Sequence, residues 1–277
     1  MMTHRQILNK GKALLKDAGI FEADNDAWLL FTSSFNMNKT EYLMHSEDEA
    51  DTECEHVYFE KIGRRLNREP LQYIEGKTYF MGLEFDVDKN VLIPRFDTEI
   101  LVENAPKYIE KGSRVLDMCT GAGCIAISLS VHGDNIVTGA DISEAALNVA
   151  EHNKRKNNAD RVTFVKSDMF AEISGKYDYI VSNPPYIATC DILKLETEVK
   201  DKEPVLALDG HEDGLFFYRI LAKISGNYLK DGGCIFLEIG YDQAESVASL
   251  LKENLFTDIK VIKVLNGLDR VVCGWRK

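Results

Sequence analysis

Residues 177–186 carry the most specific chemical signal in the chain. A short apolar strand is predicted over residues 179–181, and it runs into Asn183-Pro184-Pro185-Tyr186. The strand must end there because proline has no backbone N–H to donate. The Asn183 side-chain oxygen and the Pro184 carbonyl are then neighbouring acceptors, which suit the two protons of one NH2 group. The pattern indicates a site for an amide or an exocyclic amine, although a plain Pro-Pro turn has the same composition.

A glycine-rich turn follows the strand predicted over residues 114–118. Gly121 and Gly123 permit positive φ and let a ligand approach the backbone where the next helix presents free amides. The spacing up to Ala126 also fits the dinucleotide fingerprint, so an NAD-type oxidoreductase stays open. Asp117, just before the turn, would repel a pyrophosphate but suit an ammonium group. We therefore expect a ligand with a positively charged end.

Two more carboxylates end the next two predicted strands. Asp141 is placed to bind both hydroxyls of a ribose. Asp168 can accept a hydrogen bond from an adenine amino group, and Met169 can lie against the ring. Any one aspartate could be a helix cap or a turn residue. Together with Asp117 they mark three successive strand ends, where open α/β sheets bind ligands, and S-adenosylmethionine satisfies all three.

The order of elements predicts an α/β fold. Alternating strands and helices indicate a doubly wound, mostly parallel seven-stranded sheet with an antiparallel C-terminal hairpin at one edge. The predicted strands cover 114–118, 136–140, 162–166, 179–181, 234–239, 258–264 and 269–275, and the predicted helices cover 124–130, 144–156, 214–229 and 243–254.

The first part of the chain has a helical pattern. Thr3 with Gln6, and Ser46 with Glu49, are spaced as capping boxes at two helix starts. Apolar and acidic residues then alternate from Tyr79, which predicts a β-hairpin. We predict three segments: a small all-α bundle over 1–75, a hairpin linker over 76–92, and a cofactor-binding domain over 93–277.

The bulk composition excludes some function classes. The chain has 277 residues, a net charge of −12 and 45% hydrophobic residues. No apolar run is long enough to span a bilayer, and the first residues lack a signal-peptide core, so we expect a cytoplasmic protein without a membrane partner. The acidic balance argues against a nucleic-acid partner. The six cysteines have no metal-ligand spacing, so no metal is expected.

Several segments resemble one family of methyltransferases. With the glycine turn, Asp141, Asp168 and the Asn-Pro-Pro-Tyr segment in order, the chain resembles class I S-adenosylmethionine-dependent methyltransferases that modify amino groups. Further segments resemble the HemK-type release-factor glutamine methyltransferases: Glu69-Pro70-Leu71-Gln72-Tyr73-Ile74, Val91-Leu92-Ile93-Pro94-Arg95, Thr98-Glu99, Glu203-Pro204-Val205-Leu206-Ala207-Leu208-Asp209-Gly210, Asp213-Gly214-Leu215, Tyr218-Arg219 and Leu237-Glu238-Ile239-Gly240-Tyr241. Cys119 stands where the family usually has glycine, and Phe96, Met169 and Leu268 also depart from its pattern.

The resemblance implies an activity and a set of residue roles. It implies methylation of the side-chain amide of the glutamine in the Gly-Gly-Gln motif of class I peptide-chain release factors. The helical domain would recognise the release factor. Apart from the resemblance, we expect a monomer. The implied cofactor residues are Asp117, Cys119, Thr120, Gly121, Ala122, Gly123, Asp141, Asp168, Met169 and Asn183, and the implied substrate residues are Asn183, Pro184, Pro185 and Tyr186.

Other activities remain compatible with the sequence. A glutamine methyltransferase acting on a ribosomal protein shares the tetrapeptide, and adenine N6 would fit the same acceptors. A dinucleotide-dependent oxidoreductase or a non-catalytic binding module could keep the fold. Among these, we expect methyl transfer to an amide in which Asn183 and the Pro184 carbonyl hold the nitrogen and Tyr186 packs against the flat group.

Overall fold

The computed structural model describes residues 1–264 and 267–277. Its helices are α1 (His4–Asp17), α2 (Ala23–Phe35), α3 (Lys39–His45), α4 (Thr52–Leu66), α5 (Leu71–Glu75), α6 (Phe96–Asn104), α7 (Cys124–Gly133), α8 (Glu144–Lys156), α9 (Thr189–Ile192), α10 (Thr197–Lys200), α11 (Phe216–Ile224) and α12 (Ala244–Glu253). Its strands are β1 (Lys77–Phe80), β2 (Leu83–Asp86), β3 (Arg114–Met118), β4 (Ile136–Asp141), β5 (Val162–Lys166), β6 (Tyr177–Ser182), β7 (Leu229–Glu238), β8 (Phe256–Lys263) and β9 (Asp269–Arg276).

Seven of the strands form one mixed sheet, which confirms the predicted fold class. The strand order is β5-β4-β3-β6-β7-β9-β8. The pairs from β5 to β7 are parallel, and β9 is antiparallel to both β7 and β8. The chain order changes direction between β3 and β6, so the carboxyl ends of these strands flank the crevice in which such sheets bind ligands.

The central strands are apolar because helices cover both faces of the sheet. In β3, Val115 belongs to the cluster of buried side chains on one face and Leu116 to the cluster on the other. Side chains alternate between faces along a strand, so one short apolar segment contributes to both layers. Asp117 of the same strand is fully buried, which is unusual for a carboxylate and marks this strand end as a special position.

Two predictions about element boundaries were wrong. The helix expected over 214–229 ends at Ile224, and Leu229 begins β7 instead. Pairing decides this boundary, since the Tyr177 amide donates to the Tyr228 carbonyl (2.8 Å) and brings β7 beside β6. Most other predicted boundaries differ from the observed ones by only a few residues.

The capping box predicted at Ser46 was also wrong. Asp51 caps α4 instead, and its carboxylate accepts the amides of Glu53 and Cys54 (2.9 and 3.0 Å). Ser46 contacts Arg5, which donates from its backbone N to the Ser46 carbonyl (2.9 Å) and from its guanidinium to the hydroxyl (3.1 Å). The predicted capping box at Thr3 and Gln6 is confirmed.

The chain divides into two compact units. The first comprises residues 1–76 with 197–202, and the second comprises 77–196 with 203–277. In the first unit, α1, α2 and α4 enclose a buried core. Tyr58 crosses α1 at Gly11, where a Cβ would stand 1.9 Å from the tyrosine oxygen. A buried ion pair joins Arg65 to Asp26 (2.7 Å).

The second unit contains the hairpin β1–β2 as well as the large sheet. Asn153 of α8 joins them, because its amide oxygen accepts from the Asp86 amide (2.7 Å) and its nitrogen donates to the carbonyls of Asp86 and Ala122 (both 3.0 Å). The hairpin is thereby connected to the glycine turn. Within the described residues, every helix is too short or too polar to cross a membrane.

Candidate active site

A cavity of about 430 Å³ opens at the carboxyl ends of β3 to β6, entirely within the second unit. Its volume lies in the range of about 300–1,000 Å³ that is typical of small-molecule sites. Most residues singled out from the sequence line it: Cys119, Thr120, Gly121, Ala122, Asp141, Asp168, Met169, Asn183 and Pro185. Asp117, Gly123, Pro184 and Tyr186 are not among the residues that line it.

The glycine turn forms one wall. Cys119, Gly121 and Gly123 all have positive φ, at 64°, 53° and 80°. Gly123 also lacks room for a side chain, since a Cβ would stand 2.9 Å from the Phe164 ring. The Phe164 ring therefore packs directly against the turn at Gly123, and this contact holds the backbone of the turn in place at the cavity.

Asp117 holds this turn from inside the protein. Its Oδ2 accepts from the Thr120 hydroxyl (2.6 Å) and from the Ala126 amide (3.1 Å). Its Oδ1 is buried without a hydrogen-bond partner among the described residues. Burial raises the pKa of this carboxyl to about 7. The Asp117 carboxyl does not line the cavity, and its expected contact with a ligand ammonium stays a prediction.

Asp141 presents its carboxylate to the cavity in a fixed orientation. Oδ2 accepts from the Gly121 amide and Oδ1 from the Ser143 amide, both at 2.9 Å. Burial raises its pKa, and the two backbone donors oppose that effect. Each oxygen keeps a further acceptor position. Two parallel acceptors on one rigid carboxylate suit a pair of vicinal hydroxyls.

Asp168 and Met169 follow β5 on the same side of the cavity. Asp168 is exposed, whereas Met169 is buried and has φ of 47°. The Ser167 hydroxyl donates to the Met169 carbonyl (2.7 Å) and stabilises this conformation. A polar acceptor beside an apolar thioether suits a flat heteroaromatic ring with an amino group. With Asp141 and the glycine turn, the residues present fit S-adenosylmethionine.

Asn183 lies on the opposite side of the cavity, directly after β6. Its Nδ2 donates to the Thr98 hydroxyl (3.2 Å). Among the described residues, neither Asn183 Oδ1 nor the Pro184 carbonyl has a hydrogen-bond partner. The structure thus leaves free the two acceptors that the sequence singles out.

Tyr186 is supported by the loop that precedes α11. The Ile187 amide donates to the Leu208 carbonyl (3.0 Å), and the Gly210 amide donates to the Ile187 carbonyl (2.8 Å). Gln243 donates to the Tyr186 carbonyl (3.0 Å). The ring packs against buried apolar residues, and burial raises the pKa of its hydroxyl to about 12. The Tyr186 hydroxyl therefore remains protonated at neutral pH.

Comparison with known proteins places this geometry in a family. Residues 94–200 match the methyltransferase small domain, and residues 6–76 match the PrmC N-terminal domain. A release factor glutamine methyltransferase of Thermodesulfovibrio yellowstonii is 44% identical over 83% of this chain and 85% of its own length. One of Clostridium acetobutylicum is 38% identical over 99% of both chains. The chain belongs to the release factor glutamine methyltransferase family.

A solved structure supports the fold independently. A methyltransferase of Pyrococcus furiosus is similar with a TM-score of 0.56 and 16% identity, over 71% of this chain and 90% of that one. At this identity the likeness shows the fold alone. Residues 6–76, which match the PrmC N-terminal domain, make up most of the helical first unit.

In this member of the release factor glutamine methyltransferase family, the structure adds residues that sequence reasoning did not assign to the site. His211, Phe216 and Phe217 line the cavity, and the His211 ring lies 4.3 Å from the Phe216 ring. Among the sequence patterns, only the apolar run at the start of α11 indicates that these side chains could line a cavity. Packing of an ordinary helix explains such a run equally well.

An ion pair that was not predicted from the sequence holds the segment before α6 in place. Arg95, which lines the cavity, forms an ion pair with the buried carboxylate of Glu203, and the Ile93 amide donates to the same carboxylate (3.4 Å). Arg95 and Glu203 both lie in segments that resemble the family, but the ion pair between them was not predicted. The pair joins two loops that border the cavity.

Proposed function

We propose that this protein transfers a methyl group to the side-chain amide nitrogen of the glutamine in the Gly-Gly-Gln motif of class I peptide-chain release factors. Its family membership supports the substrate class. The observation that carries the chemistry is the orientation of Asn183, whose nitrogen is occupied by Thr98 while its oxygen remains available. A release factor as substrate implies action in the cytoplasm, where translation ends.

The methyl donor proposed here is S-adenosylmethionine, which supplies an activated methyl group when it is bound. Asp141 would hold the ribose, Asp168 and Met169 the adenine, and residues 119–123 the methionine part. Their arrangement around one cavity supports this assignment. The carboxylate of Asp141 is the best defined of these groups, because two backbone amides fix it.

The chain's own contribution to the reaction is positioning. An amide nitrogen is a poor nucleophile because its lone pair is delocalised into the carbonyl. Asn183 Oδ1 and the Pro184 carbonyl would accept both N–H bonds of the glutamine amide, which orients the nitrogen and raises its electron density. Such alignment of reacting groups can remove about 7–11 kcal/mol of a barrier. Tyr186 would pack against the amide and exclude water.

We further propose that the helical first unit recognises the release factor. The match of residues 6–76 to the PrmC N-terminal domain supports this role. Its buried core and capped helices make it a rigid surface for a protein partner. The residues that line the cavity all belong to the second unit.

Transfer of labelled methyl tests the function. Purified class I release factor should incorporate label from S-adenosylmethionine, and the same factor with its Gly-Gly-Gln glutamine changed to alanine should not. Asn183→Ala should lower kcat at least a hundredfold while cofactor affinity changes little. Label in both release factors, or an unchanged kcat in the variant, would contradict the proposal. Absence of label in both would direct the same assay to ribosomal protein and nucleic acid.

A further inference from the structure

The backbone that follows the two prolines is held from two directions. Pro184 and Pro185 have no backbone N–H, so they cannot donate to a neighbouring strand. On one side, the loop before α11 donates to the Ile187 carbonyl at 2.8 Å and accepts from the Ile187 amide at 3.0 Å. On the other side, Gln243 at the start of α12 donates from Nε2 to the Tyr186 carbonyl (3.0 Å). A single side chain from a distant part of the sequence therefore anchors Tyr186.

The backbone around Gln243 determines the orientation of its side-chain amide. Its Oε1 accepts from the Gly240 amide (2.9 Å), whereas its Nε2 donates to the carbonyls of Tyr186 (3.0 Å) and Gly214 (3.3 Å). An NH2 group carries two protons, so each of these carbonyls receives one. A 180° rotation of the amide would place an oxygen against two carbonyl oxygens and the NH2 group against an N–H donor. All three hydrogen bonds would be lost, which is costly for partly buried groups.

Three glycines border the space that this amide and the Tyr186 backbone occupy. A Cβ at Gly214 would stand 2.8 Å from Gln243 Nε2, and one at Gly240 would stand 3.0 Å from Oε1. A Cβ at Gly210 would lie 2.9 Å from the Tyr186 backbone. Side chains at these positions would displace the amide or the tyrosine, because close-packed interiors leave little room for adjustment. The amide of Gln243 is therefore enclosed as well as hydrogen-bonded.

We propose that Gln243 is a positioning residue for methyl transfer, which fixes the Tyr186 carbonyl and thereby the end of the Asn-Pro-Pro-Tyr segment. The two prolines restrict backbone rotation, so a shift of Tyr186 is transmitted to Asn183 and the Pro184 carbonyl. A misplacement of reacting groups by about 1 Å can cost about a hundredfold in rate. This inference rests on the proposed glutamine methylation for its catalytic meaning, but the anchoring of Tyr186 is a property of the protein alone.

Two substitutions of similar length distinguish this role from two simpler ones. Gln243→Met fills the same space and removes every hydrogen bond of the side chain. Gln243→Glu keeps an oxygen that can accept from Gly240 and replaces the NH2 group by a second oxygen. If Gln243 only fills space, Gln243→Met retains kcat. If it only closes the turn with Gly240, Gln243→Glu retains kcat at every pH, whereas a role in anchoring Tyr186 requires the NH2 donor.

Both variants should lose turnover at pH 8. We expect kcat for methyl transfer to a release factor to fall by about tenfold to a hundredfold, the range that corresponds to one unsatisfied buried hydrogen-bonding group. The Kd of S-adenosylhomocysteine should change less than about threefold, because the residues that line the cavity do not include Gln243.

Acidic pH should restore turnover in Gln243→Glu alone. A protonated carboxyl donates one hydrogen bond and can again reach the Tyr186 carbonyl. At pH 5 its kcat relative to the wild type should therefore rise at least about fivefold above the value at pH 8, and that of Gln243→Met should not. Other titratable residues of the same segments, among them Asp213, Glu238 and Asp242, are present in both proteins. Full kcat at pH 8 in either variant, or no recovery in Gln243→Glu, would overturn the inference.

Amide hydrogen exchange makes the test independent of the substrate. The amides of Ile187 and Gly210 donate hydrogen bonds beside Tyr186, and that of Val137 donates in the sheet (3.0 Å). Gln243→Met should accelerate exchange at Ile187 and Gly210 at least about tenfold and leave Val137 unchanged, because only the local opening becomes easier. Equal acceleration at all three amides, or none, would overturn the inference. If the wild type fails to methylate the release factor but exchange behaves as expected, only the proposed substrate is wrong.

Discussion

Gly214 lies so close to Tyr186 that a Cβ at position 214 would stand 2.3 Å from the Tyr186 carbonyl oxygen. The same Cβ would be 2.8 Å from the Gln243 amide, which donates to this carbonyl. The loop before α11 therefore supports the tyrosine through backbone contact. This contact gives a physical reason for the glycines that the segment 203–215 shares with the family pattern.

Gly214→Ala should displace Tyr186. Both the overlap and the positive φ of 72° oppose a side chain, so we expect a loss of more than about 2 kcal/mol of unfolding free energy and a large fall in kcat. Gly232→Ala is the matched control, since Gly232 has a similar φ of 75° but nothing within 4 Å of its Cβ position. It should lose only about 1 kcal/mol. Denaturant titration and kcat check this, and equal effects would contradict it.

Asp141→Asn should weaken cofactor binding at least about tenfold, which corresponds to 1.4 kcal/mol. One oxygen of the carboxylate becomes an NH2 group and must face a backbone amide, either that of Gly121 or that of Ser143. Calorimetric titration with S-adenosylhomocysteine measures the effect. Glu144→Gln, which removes an exposed charge paired with Lys166, serves as the control and should bind normally. Normal binding by Asp141→Asn would remove Asp141 from the cofactor site.

The type of the sheet and the position of the cavity can be predicted from local sequence patterns. The hydrogen bonds between residues that are far apart in the sequence cannot. Alternating apolar strands and helices predict a parallel sheet, and the strand ends predict where ligands bind. Thr98 and Asn183, by contrast, are joined by a hydrogen bond although they are 85 residues apart in the chain. No periodicity or turn pattern encodes such a contact. It depends on the order of the strands and on the packing of α6 against the sheet.

The burial of Asp117 was missed for a related reason. An acidic residue at a strand end is normally solvated, and its place beside a glycine turn suggests contact with a ligand. In the structure, the Asp117 carboxylate is buried and accepts hydrogen bonds from Thr120 and Ala126. The start of β7 was misplaced because the local helical pattern gave no sign that Leu229 would pair with Tyr177. In both cases tertiary contacts override the local preference.

Cys119→Gly should stabilise the protein relative to Cys119→Ala. Cys119 has φ of 64°, a conformation that costs a residue with a Cβ about 1–2 kcal/mol, so glycine should exceed alanine by about 1 kcal/mol in unfolding free energy. The two variants lose the same thiol, so their difference isolates the backbone. Urea unfolding of both measures it. A glycine variant less stable than the alanine variant would show that this backbone conformation is not strained.

Stability should fall as the pH rises between about 4 and 7, in part through Asp117. Burial raises the pKa of this carboxyl from 3.8 to about 7. In that window the native state holds a proton that the unfolded chain has released, so the free energy of unfolding decreases with increasing pH. The full shift corresponds to at most about 4 kcal/mol at 1.36 kcal/mol per pKa unit. Glu238, whose pKa burial also raises to about 7, acts in the same direction.

Asp117→Asn should therefore reduce this slope without abolishing it, because Glu238 remains. Unfolding free energies at pH 5, 6, 7 and 8 measure the slope in the wild type and the variant. Asp231→Asn changes an exposed aspartate and should keep the wild-type slope. If Asp117→Asn also keeps it, then Asp117 is ionised throughout this range in the folded protein. Its carboxylate would in that case be stabilised by Thr120 and Ala126 more strongly than burial destabilises it.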